Sequence, residues 1–197
     1  NVTGVQTCAL PIYMRVDGRL RRSWTGGALG ADGYLDDHAF LLAGLIDLYE
    51  ATSEPRWLAE AVALADVLAE HFQDDLHGGF FFTADDHEDL LVREKPGYDG
   101  AEPSGNSVAA LALLRLADLT GAERFRALGE GTIAAFAGTL RESPTALAEM
   151  LLAVDHRLAA PKEVVLVAAA SRAELAPFVA ELRGHFVPGH HLVMAVE

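Results

Sequence analysis

Two parts of this sequence repeat one another 68 residues apart, and that repeat limits the chain to folds built from stacked helical hairpins. The shift lays Leu48-Tyr49-Glu50-Ala51-Thr52 on Leu116-Ala117-Asp118-Leu119-Thr120, and Arg56-Trp57 on Arg124-Phe125, with no gap between them. The hydrophobic pattern changes in the same way within each copy. The spacing predicts a helix over Asp36 to Ala51 that is apolar nearly all round, with Asp36 and Asp37 at its dipole-favoured start, so this helix should be buried. Pro55 opens a second helix whose Trp57, Ala61, Ala65, Leu68 and Phe72 face away from Glu60, Asp66 and Glu70, which places it outside. Ser104, after Pro103, caps another helix that is apolar on almost every side, and Ala122 to Leu140 supplies its amphipathic partner. Ser143-Pro144 then starts a fifth helix through Leu147, Met150, Leu151, Val154 and Leu158.

The segments between and around these hairpins differ in character. Residues Asn1 to Ile12 have neither helical nor strand periodicity and read as a leader foreign to the fold, which would make Cys8 a non-native residue. From Tyr13 to Gly33, Asp17-Gly18 and Gly26-Gly27 punctuate a small hairpin or ordered loop. Gly78 to Thr83 and Leu90 to Arg93 read as two short strands around an acidic turn. After Pro161 the period changes. Glu163 to Ala168 is a buried-strand run, Ser171 and Glu174 form a capping box for a helix reaching about Arg183, and His191 to Val196 is a second strand. The spacing suits a small βαβ unit, with Pro177 kinking its helix or delaying the start. The expected organisation is a leader over 1–12, helical hairpins over 13–160 and a small α/β unit, cut short, over 161–197.

Composition narrows the function classes. A hydrophobic share of 51% is too high for a disordered chain. Twenty-nine acidic against 15 basic residues give a formal charge of −14, which disfavours nucleic acid and anionic membrane as partners. A lone Cys8 rules out an intrachain disulfide, a CxxC pair or a cysteine zinc site in this sequence. No apolar run approaches the ~18 residues that span a bilayer, and the default expectation is a cytoplasmic protein with no cofactor.

Alternating inner and outer helices at this repeat length are what an α/α toroid needs, and five helices cannot close such a ring. The strings Gly33-Tyr34-Leu35-Asp36-Asp37-His38-Ala39-Phe40, Leu48 to Ala51, Gly78 to Thr83 and Asp99-Gly100-Ala101-Glu102-Pro103-Ser104-Gly105-Asn106-Ser107 are together similar to one family. The chain resembles, over Tyr13 to Glu197, the thioredoxin-domain-containing proteins related to the spermatogenesis-associated thioredoxin-like protein. Their C-terminal portion looks like the six-hairpin glycosidase and sugar-epimerase toroids. The resemblance implies a mainly α fold, a partial (α/α)6 toroid followed by the βαβ unit, and a thioredoxin-like domain absent from this chain. It also implies that missing hairpins leave the flank of the Asp36 helix uncovered.

The repeat places the polar residues. Asp36, Asp37 and His38 map onto Ser104, Gly105 and Asn106, so both clusters lie at inner-helix N-termini on one rim. Inner helices about 8 to 10 Å apart would bring Asp36 or Asp37 near Asp99 or Glu102, within the ~5 to 9.5 Å used by paired glycosidase carboxylates. Such a pair can divide acid and base roles through unequal burial. The competing reading makes Asp36 and Asp37 stabilisers of one helix start, and Ser104 and Asn106 caps of another. His38 is a candidate proton shuttle or a hydrogen-bonded structural residue. The histidine pair of the similar epimerases does not carry over, because the repeat mate of His38 is Asn106. Tyr98 and the Phe80 to Phe82 run, Phe81 included, either stack on a sugar face or pack the excursion. His71, His77 and His87 among acidic residues show no metal spacing, and adjacent His190 and His191 point to opposite strand faces. Two functions remain open: a carbohydrate or small-polyol site at the rim, and a non-catalytic module supporting the thioredoxin-like domain.

Overall fold

The computed structural model describes residues 14–16, 18–87, 90–159, 162–185, 187 and 189–196; the leader over 1–12, with Cys8, lies outside them. The described chain is mainly helical. Its helices are α1 (Leu35–Thr52), α2 (Pro55–His71), α3 (Gly105–Thr120), α4 (Glu123–Ala135), α5 (Ala137–Glu142), α6 (Ala148–Leu158) and α7 (Ala176–Arg183). Helix α1 packs on α2 and α3, and α3 packs on α4 and α6. The all-round apolar helices therefore sit inside, and the amphipathic α2 and α4 cover them. Leu42, Ile46, Leu64, Leu68, Phe72, Leu113, Leu116 and Phe125 fill the main core without solvent contact. On the other side of α3, Ala110 and Leu114 pack against Ala153 of α6. Gly129 lets α4 come close to α3, since a Cβ there would lie 2.9 Å from Leu114 Cγ.

The repeat is reproduced at atomic level at the C-terminal ends of α1 and α3. Thr52 Oγ1 donates to Leu48 O and Thr120 Oγ1 to Leu116 O, and each hydroxyl accepts in turn from the backbone N–H two residues on. The next residues, Ser53 and Gly121, both turn left-handed at φ 51° and 68°, and their N–H groups close on Tyr49 O and Ala117 O. Glycine adopts that conformation freely, whereas Ser53 does so against its Cβ.

Three expectations are corrected. Gly78 to Thr83 and Leu90 to Arg93 form no strands among the described residues, apart from one isolated bridge between Gln73 and Phe80. The phenylalanine run finds partners in several elements instead: Phe81 N–H donates to Phe72 O, Phe82 N–H donates to Glu94 O, and Phe82 O accepts from Leu35 N. The outer helix of the second repeat breaks at Phe136, whose ring presses on Gly97 and Gly79. The fifth helix opens with a 3₁₀ turn over Pro144–Leu147, and Ser143 makes no side-chain cap. After Ser171 the expected capping box is present, and a 3₁₀ turn over Arg172–Leu175 precedes α7, whose start at Ala176 beside Pro177 is the delay expected of that proline.

The strands are short. β1 (Arg15–Val16) pairs with β2 (Arg19–Leu20), and β3 (Trp24–Thr25) with β4 (Ala28–Leu29), both antiparallel. This segment is tied to the helical layer by Arg15 to Glu60 and Arg19 to Asp86 ion pairs and by the buried Leu20. β5 (Lys162–Ala168) and β6 (His190–Val196) pair in parallel, from Lys162 with His190 to Ala168 with Val196. β6 touches α1 and α3. Among the described residues, no helix is long and apolar enough to cross a membrane.

Candidate functional site

The N-terminal ends of α1 and α3 carry the carboxylates singled out by the sequence, and the fold treats them unequally. Asp36, in the first turn of α1, accepts the Gly105 N–H at 2.9 Å through Oδ1. Its burial pushes the carboxyl upward, against the pull of that hydrogen bond, and the charges of Asp37 and Glu102 push it further. Glu102 is exposed and stands beside Asp36 in two adjoining clefts. One, of about 470 Å³, runs toward Leu20, Arg22 and Phe40; the other, of about 250 Å³, runs toward Phe82, Tyr98 and Ser104. Both Asp36 Oδ2 and the Glu102 carboxylate lack a protein hydrogen bond among the described residues.

Asp37 and Asp99 are engaged elsewhere. Asp37 reaches back to the Tyr34 N–H at 2.9 Å, securing the start of its own helix. Asp99 bridges two helix starts. Its Oδ1 accepts from Ser104 N at 2.8 Å, and its Oδ2 accepts from Glu149 N at 2.9 Å and Met150 N at 3.3 Å. One carboxylate thus meets the orphan N–H groups of α6 and the cap of α3, where the helix dipoles favour it.

The remaining candidates divide between core and surface. His38 is buried against Phe72, with Nδ1 donating to Tyr34 O at 2.8 Å, and burial pushes its pKa down. Its Nε2 is buried without a partner. Asn106 is fully buried; Oδ1 accepts from Phe80 N at 2.8 Å, and Nδ2 donates to Phe80 O at 2.9 Å and Pro96 O at 2.8 Å. Ser104 Oγ accepts from Ser107 N as the N-cap of α3. Phe81 lies under the Arg93 guanidinium at 4.2 Å. Tyr98 is 71% exposed at the edge of the smaller cleft. The structure therefore brings Asp36, Glu102, Tyr98 and Ser104 together at the smaller cleft, leaves Asp37 on the wall of the larger one with an oxygen bonded to its own helix start, and commits His38, Asp99 and Asn106 to contacts within the protein.

A second polar cluster, at the opposite ends of the inner helices, was not apparent from the sequence. His191 is buried between Glu50 and Asp118, which are repeat mates, and His156 approaches the same Asp118. The register of the repeat was the available signal, since it sets acidic residues at matching positions on neighbouring inner helices.

Inner helices sheathed by outer ones, with clefts at their N-terminal rim, define a helical-hairpin protein of glycosidase-like fold. The solved GH76 alpha-mannanase of Bacteroides thetaiotaomicron matches it with a TM-score of 0.59 and 12% identity, covering 76% of this chain and 43% of that one. No protein-family model matches. The chain belongs to the spermatogenesis-associated protein 20 family. It is 35% identical over 187 residues to the rat protein of that name, covering 90% of this chain and 24% of the relative, and 35% identical over 164 residues to the human one. An uncharacterised protein of Caenorhabditis elegans is 33% identical over 153 residues. The chain spans about a quarter of the length of the curated relatives it matches.

Proposed function

We propose that the rim of the inner helices binds a carbohydrate or small polyol, with Asp36 and Glu102 as its hydroxyl-binding carboxylates and Tyr98 as the aromatic edge. One observation carries the reading: among the described residues, the free oxygen of Asp36, whose other oxygen accepts from Gly105, and the wholly unengaged Glu102 carboxylate line the same pair of adjoining clefts. Asp36 is half-buried, which raises its pKa, and Glu102 is exposed; unequal burial of this kind is how paired carboxylates come to divide acid and base roles. In this reading α1, α3 and α6 are successive inner helices of an (α/α)6 toroid, residues 13–160 are its arc, and residues 161–197 are an attached βαβ unit. The likeness to an alpha-mannanase supports the toroid and, by analogy of fold alone, the sugar. A cytoplasmic setting belongs to the same proposal.

A second reading is favoured by the engagement of Asp37, Asp99, Ser104 and Asn106 in helix starts and loop contacts. In it the helical layer is a non-catalytic support for a thioredoxin-like domain carried elsewhere in the full-length protein. Thermal-shift measurements of a full-length homologue with a panel of monosaccharides, mannosides and polyols separate the two. A ligand that raises Tm, with the rise reduced in the equivalents of Asp36→Asn and Glu102→Gln, is the expected result. No shift at millimolar ligand, or one indifferent to both variants, favours the support role.

A further inference from the structure

The C-terminal ends of α1, α3 and α6 meet the start of β6 around a group of side chains that has no part in the rim. Asp118 lies in the last turn of α3, His156 near the end of α6 and His191 second in β6. One ligand atom from each falls within 4.8 Å of the others. His156 Nε2 is 2.9 Å from Asp118 Oδ2, and His191 Nε2 is 3.3 Å from the same oxygen. The two imidazoles stand edge to face, their centroids 5.5 Å apart.

The surroundings orient these groups. His191 Nδ1 donates to Glu50 Oε1 at 3.1 Å, which in a neutral ring leaves the lone pair on Nε2, facing Asp118. That Nε2 is buried and makes no hydrogen bond, and His191 as a whole is only 4% exposed. Asp118 Oδ1 accepts from Arg126 at 2.8 Å, and Glu50 Oε2 accepts from Arg115 at 2.8 Å. A histidine oriented by a second carboxylate while its other nitrogen faces inward is the outer-shell arrangement of protein zinc sites. A single proton satisfies one nitrogen against the shared oxygen, whereas a cation among the three atoms satisfies all of them.

We infer that Asp118, His156 and His191 form a site for a divalent transition-metal ion of the Zn(II) class, joining β6 to two inner helices, with Glu50 as a positioning residue. Two imidazole donors select against Mg(II) and Ca(II), which take oxygen ligands. Three protein ligands leave a fourth tetrahedral position for water or another donor. The repeat explains how the site is assembled: equivalent positions on successive inner helices supply one carboxylate as ligand and one as orienter.

The 197-residue chain, stripped with chelator and dialysed, should bind one equivalent of Zn(II) in competition titrations and show visible d–d absorption on addition of Co(II). His156→Ala and Asp118→Asn should each weaken binding by at least about tenfold, and Glu50→Gln by about tenfold. His71→Ala tests the separate exposed group of His71, Asp85 and Asp86 and should leave this binding unchanged. Circular dichroism confirms that each variant is folded. His156 is partly exposed near a helix end, so its variant carries the test if Asp118→Asn fails to fold. Absence of a stoichiometric site, binding indifferent to His156→Ala, or binding lost with His71→Ala would overturn the assignment.

Discussion

Asn106→Ala is the sharpest perturbation of this fold, because three hydrogen bonds converge on one buried amide. Its Oδ1 takes the Phe80 N–H, and its two Nδ2 hydrogens go to Phe80 O and Pro96 O, all at 2.8 to 2.9 Å. The amide therefore clasps the loop after α2 to the first turn of α3 where no β-ladder does so. Truncation leaves one backbone donor and two acceptors unpaired, at about 1 to 3 kcal/mol each when water cannot reach them. Partial entry of water into the small void lowers the sum, and a net loss of about 3 to 5 kcal/mol is expected from a total stability of about 5 to 15. Asn106→Asp should be worse at pH 7, since a carboxylate faces two carbonyl oxygens. It should recover partly toward pH 4, where the protonated acid regains one donor. The sign follows from a folded pKa raised above the unfolded value, so the penalty grows as pH rises. Urea unfolding followed by circular dichroism reads both effects as shifts in midpoint at constant slope. A loss below about 1 kcal/mol for Asn106→Ala would refute the clasp and return the amide to the list of ligand contacts.

Two further substitutions test the same account. Ser53→Gly, which copies the repeat mate Gly121, relieves a left-handed backbone and removes a buried hydroxyl with no partner; stability should rise by about 1 kcal/mol and Tm by about 2 to 4 °C. Ser53→Ala keeps the strained backbone, so a glycine variant no better than the alanine one would refute the strain argument. Asp36→Asn keeps an acceptor for the Gly105 N–H while removing a charge that burial disfavours. Because the folded carboxyl lies above its unfolded value, the variant should be more stable than wild type at pH 7, with the gain vanishing below about pH 4. Urea midpoints at the two pH values decide it, and a gain independent of pH would show that Asp36 is not desolvated.

The inner and outer helices, their order and most of their boundaries were legible in the sequence, because a helix's apolar stripe and its caps are local. Leu48 to Thr52 and Leu116 to Thr120 announced the repeat, and the matching Thr52 and Thr120 hydrogen bonds are its direct consequence. The phenylalanine run misled, since strand-like composition does not say whether a neighbouring strand exists, and here its backbone is met by Asn106, Phe72, Glu94 and Leu35. The rim residues were visible as a group, but not which of them were engaged. Asp99 is fully engaged by N–H groups five to 51 residues away, and Asp36 only half by one 69 away. His191, at a strand end in sequence, is buried because β6 lies against α1 and α3 and meets a glutamate 141 residues earlier. Composition and period thus determined which surfaces had to be covered, while the tertiary structure decided which polar groups had partners, because a hydrogen bond needs its partner within about 3 Å and the chain supplies that partner only by folding.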